Sequence, residues 1–277
     1  MLEKIDTHQH FWRFDPIRDN WITEDMGLIR KDVLPGEVEP LMKASGISGS
    51  IAVQADQSEA ENTFLLELAA ANSFIKGIIG WVDMRSDDIE DSLQFYCQHK
   101  EIKGFRHILE SETDRALMLT PEFKRGIAAL SHYNYTYDIL VRPDQLPYAI
   151  KLAELFPEQK FILDHIGKPL IREGNIEEWE RDIRELALSP NVFCKVSGLA
   201  TEADWNDWRY EHFLPYLDVV FDTFGVERVM FGSDWPLCLL AGGYERTTGI
   251  LEQYTMRLTE AEQEMVWGAN AVTVYGL

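Results

Sequence analysis

The sequence predicts an α/β fold, a (β/α)8 barrel built as one domain over residues 1–277. Three observations predict it. Short apolar strand segments alternate about eight times with segments of helical period. The length of 277 residues suits one barrel of this kind. No G-x-G-x-x-G follows a strand, which argues against an open doubly wound sheet.

The elements follow in order. Strand one spans about residues 4–8. A mixed aromatic and charged segment, 11–34, is long enough to be either a lid or an irregular surface connection. A short helix over 40–45 stops at Gly46. Strand two is 49–55. Ser58-Glu59-Ala60-Glu61 reads as a capping box, opening a helix with Phe64, Leu65, Leu68 and Ala69 on one stripe. Strand three is 77–82, followed by a helix over 88–97. Strand four is 102–107. Thr120-Pro121 is an N-cap with proline at the first helical position. Strand five is 135–141, and Pro143 starts the next helix. Strand six is 160–166, with a helix over 177–188. Strand seven is 191–197. Residues 205–224 have helical period, with Pro215 dividing them. Strand eight is 228–231 and runs into Gly232-Ser233-Asp234-Trp235-Pro236. Thr259-Glu260-Ala261-Glu262 is a second capping box.

Lys+Arg number 26 and Asp+Glu 47, a formal net charge of −21. That field repels nucleic acid and anionic membrane surfaces. No apolar run approaches a membrane span. Cys97, Cys194 and Cys238 are scattered, which fits a reducing cytoplasm, and the N-terminus enters the first strand without room for a signal peptide. A small molecule is the expected partner, and self-association is compatible with this surface.

Side chains alternate faces along a strand, so Asp6, His8 and His10 should share one face. Outward barrel positions pack under helices and want apolar groups, while inward positions near the C-terminal strand ends form the active site. Reading that parity puts Ile51 and Val53 outward with Gln54 inward. It also puts Trp81, Arg106, Asp138, Lys195 and Ser197 inward. Strand six places His165 and Asp164 on opposite faces, and strand eight brings up Asp234. The inward set is therefore His8, His10, Gln54, Trp81, Arg106, Asp138, His165, Lys195 and Asp234. Buried charge without a function is costly, so this cluster points to a site.

The competing structural readings are specific. Arg106 and Lys195 can form internal pairs with Asp83 or Asp138. His107 can be an outward histidine bonded to a loop, and Asp164 a brace for a neighbouring loop. Trp12, Trp81 and Trp235 are either core or sugar-stacking walls. Ser197 and Ser233 lack the G-x-S-x-G elbow of a serine nucleophile. His99, His132 and His212 read as surface residues.

Three histidines and a carboxylate suit one divalent metal, zinc or manganese, bound by His8, His10, His165 and Asp234. Such an ion lowers the pKa of water to about 7 and polarises a carbonyl. In a metal-free alternative the histidines hold the carbonyl oxygen and Asp234 is the general base. An aspartate, of reference pKa ~3.9, is a weak base that suits a reactive lactone better than an amide.

Four stretches together carry a resemblance: 5–12 (Ile-Asp-Thr-His-Gln-His-Phe-Trp), 162–169 (Ile-Leu-Asp-His-Ile-Gly-Lys-Pro), 194–199 (Cys-Lys-Val-Ser-Gly-Leu) and 230–236 (Met-Phe-Gly-Ser-Asp-Trp-Pro). The chain resembles the amidohydrolase superfamily, closest to its sugar-lactonase branch, the L-fuconolactonase and L-rhamnonolactonase group. The resemblance implies a distorted (β/α)8 barrel. It implies His8 and His10 as the strand-one pair, His165 as the strand-six histidine and Asp234 as the strand-eight aspartate. No strand-four lysine stands where a binuclear site would need one; Arg106 and His107 are there instead. The implied activity is opening of a sugar-acid lactone, with catalytic Asp234 and His165. Gln54, Trp81, Arg106, His107, Asp138 and Trp235 would hold the substrate. The rival activity is metal-dependent decarboxylation of an aromatic or dienoic acid, with Arg106 binding the acid. A barrel that only binds would lack a complete inward set.

Overall fold

The computed structural model describes residues 3–277. Eight parallel strands form one sheet in chain order: β1 Ile5–Gln9, β2 Gly49–Val53, β3 Ile75–Gly80, β4 Ile102–His107, β5 Thr136–Ile139, β6 Phe161–Leu163, β7 Val192–Val196 and β8 Val229–Phe231. The seam between β1 and β8 closes just beyond the strands. His10 N donates to Trp235 O at 2.7 Å, and Asp234 N donates to His8 O at 2.9 Å. The residues that close the barrel thus carry the histidines and the aspartate to one place.

The helices are α1 Pro35–Ala44, α2 Glu59–Ala71, α3 Ile89–Tyr96, α4 Pro121–His132, α5 Leu146–Leu155, α6 Glu177–Leu186, α7 Leu214–Phe224, α8 Tyr244–Thr255, α9 Glu260–Glu264 and α10 Asn270–Tyr275. Among the described residues no helix is long and apolar enough to cross a membrane. Thr120 caps α4 by accepting from Phe123 N, and Thr259 and Glu262 form a capping box on α9. The box expected at Ser58 does not form. Ser58 Oγ turns to Asp56, and Glu61 accepts from Ala55 N at 2.9 Å instead. Helix α1 starts five residues earlier than expected, at Pro35, a proline in the first turn. Before α7 the expected helix is absent. Residues 205–213 form turns and a short 3-10 segment, and Pro215 sits in the first turn of α7, where its missing N–H has no partner to lose.

Two apolar cores flank the sheet. The outer one packs Phe105, Tyr137, Ile139, Leu163, Cys194 and Phe231 under the helices. The inner one fills the lower barrel with Ile5, Ile51, Val53, Ile79, Ile162 and Met230, and Val274 and Tyr275 of α10 complete it. This corrects the parity of β2: Ile51 and Val53 face inward, and Ala52 packs outward. Both faces of a parallel barrel strand are buried, so polarity alone cannot orient Ser50-Ile51-Ala52-Val53.

Residues 11–34 form a packed connection. Phe11, Trp12, Ile22, Ile29 and Val33 are buried. Trp12 and Val33 exchange backbone hydrogen bonds, and Trp12 Nε1 donates to Lys31 O.

Candidate active site

The lower barrel is apolar, and its upper layer is almost entirely polar. His8, Arg106, Asp138, Asp164, His165, Lys195 and Asp234 are all at most 4% exposed. His8 Nε2 and His10 Nε2 lie 3.1 Å apart. Asp234 Oδ1 lies 3.9 Å from His8 Nε2, 3.7 Å from His10 Nε2 and 4.0 Å from His165 Nε2.

Each imidazole is held through its Nδ1, and the partner fixes the tautomer of His10. His10 Nδ1 donates to Val53 O at 2.9 Å. His165 Nδ1 faces Ser197 Oγ at 2.9 Å, and His8 Nδ1 faces Asp164 Oδ1 at 3.3 Å. Each histidine turns its Nε2 towards Asp234, and for His10 the Nδ1–H bond to Val53 O leaves that Nε2 unprotonated. Burial drives His8 down to about 3, with Lys195 and Arg106 adding to the fall, and it drives His10 and His165 well below the ordinary range. The imidazoles are neutral at pH 7. Burial also pushes Asp234 up to about 8, against the pull of Lys168 and Arg106. Its Oδ1 is a buried acceptor without a hydrogen-bond partner.

Three imidazole nitrogens thus stand within 4.0 Å of one carboxylate oxygen. This set suits a cation. Ligands about 2.1 Å from a tetrahedral zinc lie about 3.4 Å from one another, and the ligand atoms of His8, His10 and Asp234 lie 3.1–3.9 Å apart. His8, His10 and Asp234 form one group able to hold a metal, and His8, Asp164 and His165 form another.

Two local features make room for these rings. After β6 the backbone turns left-handed through His165, Ile166, Gly167 and Lys168, with φ from 49° to 74°. That turn costs about 1–2 kcal/mol per non-glycine residue. It is anchored by Lys168 N on His165 O and Trp179 Nε1 on Ile166 O, each at 2.8 Å. Because of it, Asp164 and His165 both reach the interior, although strand parity separates them. Gly232 is the second feature: a Cβ there would lie 2.8 Å from His8 Cβ.

Beneath the histidines lies a buried charge network. Lys195 Nζ contacts Asp138 Oδ2 at 2.5 Å and Asp164 Oδ1 at 3.1 Å. Arg106 Nη1 reaches Asp164 Oδ2 at 3.0 Å and His8 Nε2 at 3.3 Å, and its Nη2 donates to Gln54 O and Oε1. Burial opposes ionisation of Asp164, but Lys195, His8 and Arg106 overcome it and hold its carboxyl well below the usual range. Asp164 is therefore a charged orienter for His8, not the loop brace that the sequence suggested. Asp6 is also displaced from its expected place. The register shifts between Asp6 and Gln9, and the Asp6 carboxylate accepts from Ser233 N, Gln9 Nε2 and Tyr244 Oη instead.

Several residues expected to touch substrate are occupied elsewhere. His107 points outward, packs on Phe123 and reaches Glu112 at 2.8 Å. Gln54 serves Arg106, and Asp138 serves Lys195. Trp235 is 1% exposed and packs on Phe11 at the seam. Asp83 pairs with Arg85 rather than with Arg106. Trp81 is half-buried. Asn62 of α2 clamps its backbone N and O at 2.7 Å each, and its Nε1 is a buried donor without a partner. Glu110, Lys168 and Glu202 also stand on the loops of this mouth, and the sequence reading did not single them out.

A family model described as amidohydrolase matches residues 5–277. The chain belongs to the amidohydrolase family. It is 40% identical to an L-fucono-1,5-lactonase of Burkholderia multivorans, covering 99% of this chain and 96% of that protein. It is 34% identical to an L-fucono-1,5-lactonase of Burkholderia ambifaria, covering 88% of this chain and 84% of that protein. A crystal structure of an amidohydrolase from Burkholderia multivorans with bound zinc superposes with a TM-score of 0.96, at 40% identity and 99% coverage of both chains.

Proposed function

We propose that this chain opens a sugar-acid lactone by hydrolysis, and that L-fucono-1,5-lactone is the first substrate to try. The observation that carries this reading is the convergence of three histidine Nε2 atoms on the unpartnered Oδ1 of Asp234. The lactonase names of relatives at 40% and 34% identity support it.

In this reading His8, His10, His165 and Asp234 hold one divalent ion, zinc in the first instance. When bound, the ion supplies Lewis-acid polarisation of a carbonyl and acidifies water. The chain's own residues do the rest. The Asp234 carboxylate takes a proton from the water that attacks the lactone carbonyl carbon; collapse of the oxyanion breaks the ring acyl C–O bond, and Asp234 returns the proton to the departing ring oxygen, giving the open hydroxy acid. Asp164 and Val53 O fix the rings of His8 and His10 through their Nδ1 atoms. Arg106, held by Asp164 and Gln54, keeps a fixed positive charge beside His8, where negative charge develops on the carbonyl oxygen. Since Arg106 is committed to Asp164 and Gln54, it is poorly placed to bind the carboxylate of a decarboxylation substrate.

A pH-indicator assay over a panel of aldonolactones tests this. Acid release should be fastest with L-fucono-1,5-lactone or a close stereoisomer, and Asp234→Asn should lose it. Rates no faster than spontaneous hydrolysis for every lactone, or an undiminished Asp234→Asn, would overturn the proposal.

A further inference from the structure

Four consecutive loops at the barrel mouth each contribute one charged side chain. Glu110 follows β4, Arg142 follows β5, Lys168 follows β6 and Glu202 follows β7. Lys168 Nζ lies 2.8 Å from Glu110 Oε2 and 3.6 Å from Glu202 Oε1. Arg142 reaches the same two carboxylates at 3.1 and 3.4 Å. The Lys168, Glu110 and Glu202 side chains are only 14–18% exposed. An isolated surface pair would be worth little, but this is a partly buried network of four.

The quartet is coupled to the site. Lys168 sits in the left-handed turn that delivers His165, and its N donates to His165 O at 2.8 Å.

Its composition also says what it can recognise. Two cations face two carboxylates, so the wall is polar but carries no net charge. The deeper Arg106 already faces Asp164. A dianionic substrate would meet only compensated cations here. A neutral polyol would meet alternating acceptors and donors, which is what adjacent ring hydroxyls require.

We propose that Glu110, Arg142, Lys168 and Glu202 form the subsite that reads the hydroxyl groups of a neutral, polyhydroxylated lactone. Glu110 and Glu202 accept from the hydroxyls, and Lys168 donates to them. The proposal rests on the lactone-hydrolysis reading above and adds the residues that select the substrate. The competing explanation is that the quartet only ties four loops together.

The test compares kcat/KM of the full chain on a hexono-1,5-lactone, on unsubstituted δ-valerolactone and on a lactone dicarboxylate. The unmutated protein should prefer the hydroxylated lactone to both others. Hydrogen bonds to charged groups are worth enough for a roughly 10- to 100-fold effect each. Glu110→Gln and Glu202→Gln should therefore each lower kcat/KM by that factor on the hydroxylated lactone, with a loss at least about tenfold smaller on δ-valerolactone. Removing one hydroxyl from the substrate should give a loss of the same order with no change to the protein, which keeps the test valid if a variant fails to fold. Equal losses on hydroxylated and bare lactones, or a preference for the dicarboxylate, would overturn the subsite while leaving lactone hydrolysis standing. If no lactone is opened at all, both proposals fall.

Discussion

Asp234 offers the sharpest test of the chemistry, because its state depends on what the three histidines hold. Burial pushes its carboxyl up to about 8, where an ordinary aspartate sits near 3.8. A general base must be ionised. In protein stripped of divalent metal, about a tenth of the molecules would carry ionised Asp234 at pH 7, and about a hundredth at pH 6. The direct-base rate should therefore climb about tenfold per pH unit from 6 and level off above about 8. A bound cation favours the carboxylate, so loading with zinc should move the rise to lower pH and flatten the profile between 6 and 8. The assay is kcat/KM for an aldonolactone after chelation and after zinc addition, with spontaneous hydrolysis subtracted and metal content measured by elemental analysis. A metal-free profile that is flat from pH 6 to 8 would refute the reasoning, since Asp234 would then be either unshifted or not the base.

Three further outcomes are expected. Lys195→Met leaves Asp138 and Asp164 buried without their shared cation, which should cost about 3–5 kcal/mol; urea unfolding checks it, and a loss under about 1 kcal/mol would contradict the network. Glu61 is 6% exposed and burial pushes it up to about 7 from 4.5, so the stability it contributes is complete below pH 4.5 and is lost as pH rises through 7. Glu61→Gln should then stabilise the chain by about 3 kcal/mol at pH 8 and hardly at all at pH 4, and an offset independent of pH would sink that reading. Gly232→Ala puts a methyl group 2.8 Å from His8 Cβ and 3.1 Å from Ser197 Cβ, so it should displace His8 and weaken zinc binding at least about tenfold in a competitive chelator titration. Unaltered affinity would show that His8 is not seated by that contact.

What the sequence determined by itself is the repeat and the four motif stretches. Strand–helix alternation prescribes the barrel because each apolar strand needs a helix to cover it. Polar residues at the ends of strands four, five and seven identified Arg106, Asp138 and Lys195 as inward, since outward neighbours such as Phe105, Tyr137 and Cys194 are apolar. His8 and His10 were legible as a pair from their two-residue spacing, whereas His165 shares the parity of the outward Leu163 and joined Asp234 in the set through the motif resemblance. Asp164 carried a usable signal too: Leu163 packs outward, so Asp164 had to face in.

Only the tertiary structure decided which inward groups are free and which are spent on one another. Pairing depends on side-chain reach across the barrel, so no strand reveals that Gln54 serves Arg106 or that Asp138 serves Lys195. The positive φ at Ile166, disfavoured for a β-branched residue, is imposed by packing and by Trp179, and local propensity would have opposed it. Likewise the Glu110–Arg142–Lys168–Glu202 quartet joins four loops far apart in the chain, and those charges become neighbours only when the barrel brings the strand ends together.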